Sequence, residues 1–200
     1  MSSTLKINFG LDVDLSLVEF THESWKHRLE VPSSIKEFPV IVVWKHPYHW
    51  IESIAWRKQV DWVRTQIKYS NVEEDENLMI GKEGQKLSII ALCKTWVDFY
   101  NNWWFSLDES IKKRTVLVKY EDMLRRPDEV LDVISIKFRL EKRFINYELP
   151  KKVQVSEDFS IQNISRYDTD HPGKLINPYV QIINSIILPE FIQNLENQSI

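Results

Sequence analysis

The chain has 200 residues, 43% hydrophobic and 12% aromatic, enough apolar surface to close one core within a single domain spanning residues 1–200. A net charge of −3 gives no bulk electrostatic case for a nucleic-acid partner, while leaving room for a local basic pocket that holds a small anion. The single cysteine, Cys93, excludes an internal disulfide; the apolar runs fall short of the ~18 residues of a membrane span, and the N-terminus lacks a signal-like basic start, so a cytoplasmic protein without a membrane segment is expected.

Along the chain, "TLKINF" (4–9) alternates weakly as a strand would, and "DVDLSLVEF" fits neither period well. "FPVIVVW" (38–44) is continuous and β-branched, the pattern of a strand in a parallel sheet covered by helices. From Tyr48 the period turns helical, with Trp50, Ile51, Ile54 and Ala55 on one side. The polar stretch 70–86, with its acidic run Glu73–Glu76, reads as a surface loop or excursion. A second helix is expected over 86–106, where Trp96, Trp103 and Trp104 read as core, with one of them able to line a ligand pocket. Cys93 in that helix reads as a small buried thiol.

"RTVLVKY" (114–120) is a second continuous strand. Lys112, Lys113 and Arg114 before it read as a solvated helix end. Pro127 fits the first turn of the next helix, since a proline there loses no intrahelical bond. A last helix lies within 177–196, kinked or divided by Pro189. Strands alternating with helices in this order predict an α/β fold, a three-layer α/β/α sandwich around a central parallel sheet.

The change from strand to helix at 44–47 is where chemistry is expected. Ligands of open α/β sheets bind at the carboxyl ends of strands, where helix N-termini present N–H groups. Lys45 stands at such an end and Ser53 lies in the adjoining helix, so a cation, a hydroxyl and a helix N-terminus form a candidate phosphate or sulfate site.

"VIVVWKHPYHWIESI", then "KTWVDFYNNWW", then "RTVLVKYEDMLRRPDEVLDVI" resemble, in that order, the sulfotransferases that use 3'-phosphoadenosine 5'-phosphosulfate. The resemblance covers about residues 25–140 and implies a P-loop NTPase-like α/β fold. It implies that Lys45 and Ser53 hold the donor's 3'-phosphate and that His27 is the base that takes the acceptor's proton; separately, no His or Cys pair stands at ligand spacing, so no metal is expected. The resemblance also implies sulfuryl transfer to a hydroxyl or amine of a small-molecule, carbohydrate or lipid acceptor. Arg166, Gly173 and Lys174 loosely match the family's late loop over the 3'-phosphate, with Lys174 the binding residue, although a simple turn explains "RYDTDHPGK" as well. Tyr120, Glu121 and Asp122 match its Tyr-Glu-Asp and read as structural, a tyrosine ending the strand and two acids capping the helix after it.

Two departures stand out. The family's arginine is Lys45 here, which keeps the charge but loses the planar fork that grips phosphate with two bonds. The family's Gly-rich phosphosulfate loop has no counterpart, since Gly10, Gly81, Gly84 and Gly173 all lie in other settings. The alternatives are therefore a non-catalytic nucleotide-binding or interaction module, or the C-terminal part of a longer enzyme.

Overall fold

The computed structural model describes residues 29–31, 35–36, 38–55, 78–81, 86–141 and 172–200. Strand β1 (Val40–Trp44) leads through a two-residue turn into helix α1 (Pro47–Ala55). Two short strands, β2 (Met79–Ile80) and β3 (Leu87–Ser88), pair antiparallel, and helix α2 (Ile89–Tyr100) comes directly after them. A π-helical turn (Asn101–Phe105) and helix α3 (Glu109–Lys112) precede strand β4 (Thr115–Lys119). Helices α4 (Tyr120–Arg125) and α5 (Pro127–Phe138) come next. A 3-10 turn (Asn177–Tyr179), α6 (Val180–Ile186) and α7 (Pro189–Gln198) end the chain.

β1 and β4 pair in parallel, from Val40 against Thr115 to Trp44 against Lys119. Side chains alternate across a strand, so each face of this two-stranded sheet meets its own core. Val40, Val42, Trp44 and Leu117 join one cluster with α1, α2, α6 and α7; Val116 and Val118 join another with Met123, Val130, Leu131 and Ile134 of α4 and α5. The molecule is thus mixed α/β and mostly helical, with a small parallel sheet among the described residues.

Among the described residues, side chains and the Ile200 backbone hydrogen-bond to the outer edges of the two strands. Trp96 Nε1 donates to the Lys45 carbonyl at 3.0 Å and the Tyr100 hydroxyl to the Val43 carbonyl at 3.3 Å, along the edge of β1 away from β4. On the other side the Ile200 N–H donates to the Leu117 carbonyl at 3.1 Å. Burial pushes the Tyr100 phenol above its ordinary range, so it stays a neutral donor.

Several sequence expectations hold. Pro127 is the first residue of α5, and Pro189 divides the last helical segment by opening α7. Cys93, Trp96 and Trp104 are buried, and burial pushes the Cys93 thiol up to about 12. Three expectations need adjusting. Part of the stretch read as a surface excursion is the β2 strand, whose Ile80 is buried, because it pairs with Leu87 in β3. Helix α2 starts at Ile89 rather than 86, because the Ser88 hydroxyl accepts from the Ala91 N–H and caps it. Tyr120 opens α4 instead of closing the strand. Among the described residues no helix is long and apolar enough to cross a membrane.

Candidate anion site at the strand ends

Parallel pairing brings two distant stretches to one end of the sheet. Lys45 and His46 come just after β1, while Lys119, the last residue of β4, leads into Tyr120 and Glu121. The Lys45 ammonium lies over the Tyr120 ring, 4.8 Å from its centroid, a cation–π contact between the two strand ends. Lys119, by contrast, is buried, ion-paired to Glu196 at 2.7 Å and set over the Trp44 indole at 5.1 Å.

Beneath Lys45 sits a polar cluster. Glu121 is 0% exposed, and its Oε1 accepts from the His46 backbone N–H at 3.2 Å and contacts His49 Nδ1 at 2.7 Å. Burial alone would raise the Glu121 carboxyl; the hydrogen bonds from His49 and from backbone N–H groups, with the attraction of His49, outweigh it and hold the group below its ordinary 4.5. The expected role of Glu121 as a cap on its own helix is thereby corrected. No side chain caps α4, and the Glu121 carboxylate reaches across to the neighbouring strand's turn.

That turn is organised as a helix start. His46 stands at the N-cap position, its carbonyl accepting from the Trp50 N–H at 2.9 Å. Its Nδ1 accepts from the Tyr48 N–H at 3.4 Å, and Pro47 at the first helical position has no N–H to satisfy. Three of the positions from which α1 could offer a backbone donor to an anion are therefore already accounted for: the N–H of His46 is on Glu121, Pro47 has none, and that of Tyr48 is on His46. The helix N-terminus expected to bind an anion is largely capped from within the protein, by Glu121 and His46, so an anion at this end would be met by side chains.

The candidate site residues are held by separate contacts. Ser53 lies one helical turn beyond His49 on the same face of α1, and its hydroxyl donates to the Trp50 carbonyl at 2.8 Å. Holding an anion would require that hydroxyl to turn away from its own helix. Lys174 is exposed, next to Gly173, and the loop they form approaches α1. A β-carbon on Gly173 would collide with the Glu52 carboxylate, so the residue facing that glycine is an acid from α1. Tyr48, on the same side of α1 as Glu52, donates its hydroxyl to Asn184 Oδ1 at 2.6 Å and ties the helix to α6. His27 and Arg166 lie outside the described residues. Leu29, two residues after His27, is anchored through its carbonyl to Asn102 Nδ2 at 2.9 Å.

No protein-family model, curated protein or solved structure matches this chain. The site therefore rests on its own geometry. Sequence reasoning gave Glu121 only a capping role on its own helix and His49 no particular role, yet they are the site's most buried polar members. A signal was present: an acid directly after a continuous apolar strand, and two histidines flanking the proline of another strand end.

Proposed function

We propose that this chain is a sulfotransferase-like domain whose β1–β4 strand ends bind the phosphate of 3'-phosphoadenosine 5'-phosphosulfate, within a three-layer α/β/α sandwich of P-loop NTPase-like type. One observation carries the reading. The Lys45–Pro47–Ser53 stretch and the Tyr120–Glu121–Asp122 stretch, which the family resemblance pairs by order alone, meet at one end of a parallel sheet, with the Lys45 ammonium on the Tyr120 ring. A lysine beside an aromatic ring suits a nucleotide that brings both a phosphate and a flat base.

In the reaction so proposed, an acceptor hydroxyl or amine bonds to sulfur as the sulfur–oxygen bond of the anhydride breaks. 3'-Phosphoadenosine 5'-phosphate leaves, and the acceptor's proton passes to a base, the role assigned to His27. Lys45, with Ser53 and Lys174, holds the donor rather than the acceptor. Acceptor choice rests on loops that share no motif.

A second reading is favoured by a specific feature, the capped start of α1. With the His46 and Tyr48 N–H groups turned inward, the strand end offers few backbone donors, and the sequence has no Gly-rich loop to stabilise the charge that develops on the leaving 5'-phosphate. That suits a module that binds the nucleotide without turning it over. Titration calorimetry of the chain with 3'-phosphoadenosine 5'-phosphate tests the site common to both readings. Binding that Lys45→Ala weakens and Ser53→Ala weakens less supports it; no heat at millimolar ligand contradicts it. Transfer of radiolabelled sulfate to added acceptors then separates the enzyme from the module.

A further inference from the structure

We propose that Glu121 is the positioning residue of the strand-end site, acting as a capping group supplied to helix α1 from the first turn of α4, the helix that follows the neighbouring strand. The inference rests on the nucleotide-binding reading above and says how that site is held in shape.

In a capping box the third helical residue is an acid or amide that reaches back to the N-cap N–H, while the N-cap side chain accepts from the first turn. Helix α1 has half of this arrangement. Its N-cap, His46, accepts from the Tyr48 N–H through Nδ1. Its third residue, however, is His49, and the acceptor that the N-cap N–H needs comes from Glu121, 75 positions away. One oxygen, Oε1, takes both the His46 N–H at 3.2 Å and His49 Nδ1 at 2.7 Å. The box is thus completed from the start of a second helix, α4.

The relay fixes more than a helix end. Glu121 comes directly after Tyr120, whose ring carries the Lys45 ammonium, and His46 comes directly after Lys45. A single carboxylate therefore sets the spacing between the residue that bears the cation and the residue that bears the ring. Full burial of Glu121 and near-full burial of His49, 3% exposed, put them out of a substrate's reach, so they act through the turn. Misplacing a charged group by an ångström costs binding even where no contact to the ligand is lost.

Two variants separate reach from charge. Glu121→Gln keeps the length and an acceptor oxygen without the charge, and Glu121→Asp keeps the charge without the length. Calorimetry with 3'-phosphoadenosine 5'-phosphate is expected to show the Gln variant within about threefold of wild type and the Asp variant at least about tenfold weaker. Combined with Lys45→Ala, the Asp change is expected to add little further loss, because the two act on one group. Amide hydrogen exchange on the same folded samples reads the cap without any ligand: His46 and Tyr48 are expected to exchange faster in the Asp variant and at the wild-type rate in the Gln variant.

Unchanged exchange at His46 in the Asp variant overturns the inference. So does an Asp variant that binds like wild type while Gln is weak, which would make Glu121 an electrostatic group. A wild type that binds no nucleotide, yet shows the expected exchange pattern, instead overturns the functional reading, and with it the claim that the cap positions an anion site.

Discussion

The two strand ends of the parallel sheet look alike in sequence and are used differently. Each strand is a continuous β-branched run, each ends at or just before a lysine, and each leads into a helix. At the β4 end, Lys119 is buried against Trp44 and paired with Glu196, so its charge serves the docking of the C-terminal helix. At the β1 end, Lys45 is half-buried over Tyr120, with a capped helix start beside it. Tertiary partners, not local pattern, decide which cation is structural and which faces a candidate ligand site.

The largest effect is expected where the β1 end is held. Glu121→Ala removes the buried acceptor of two groups, and leaving a buried donor without its partner costs roughly 1–3 kcal/mol for each. Urea unfolding followed by circular dichroism should show this as a lower midpoint with little change in slope. The same group makes the β1 end acid-sensitive. Its carboxyl is lower in the folded chain than its ordinary 4.5, so its contribution is present above that value and fades as pH falls through the folded one. Stability measured between neutral pH and the acid side of 4.5 should fall for wild type, and the fall should be shallower in Glu121→Gln.

The contrast between the lysines is sharpened by replacing each with alanine. Lys119→Ala should lower stability by about 1 kcal/mol, through lost packing on Trp44 and a partly exposed ion pair, and leave affinity for 3'-phosphoadenosine 5'-phosphate unchanged. Lys45→Ala should do the reverse. Its loss of affinity is expected near 1.5–3 kcal/mol, the range of a charge-assisted contact. Equal behaviour of the two variants would erase the distinction between the strand ends.

The smallest effect concerns the loop that approaches α1. Gly173→Ala meets the Glu52 carboxylate, the far end of a flexible side chain, so the loss should be near 1 kcal/mol and the Glu52→Ala double variant should recover it. A double variant no better than Gly173→Ala would mean that the backbone, rather than Glu52, limits the position.

Much of this framework was legible in the sequence. β1 and β4 announce themselves as continuous runs rich in β-branched residues, Pro127 marks a helix start because a proline costs a helix nothing at its first position, and Pro189 marks the division of the last helical segment. The features that were not legible depend on pairing between distant segments. Strand β2 is two residues long and exists through its partner β3, leaving no periodicity to read. Glu121 looked like a first-turn acid of its own helix, and only the register of β4 beside β1 sends its carboxylate to His46 and His49. Lys45 was legible as a strand-end cation, but the inward turn of the His46 and Tyr48 N–H groups was not, since it needs that same carboxylate and the ring of His46.

The claim that matters most is that Lys45 meets a phosphate at the end of β1. Calorimetry with 3'-phosphoadenosine 5'-phosphate on wild type, Lys45→Arg and Lys45→Ala tests it directly. A guanidinium offers the planar fork that an ammonium lacks, so the predicted order is arginine tightest, lysine next and alanine weakest. Equal affinity in all three proteins, or no binding in any, would contradict the account.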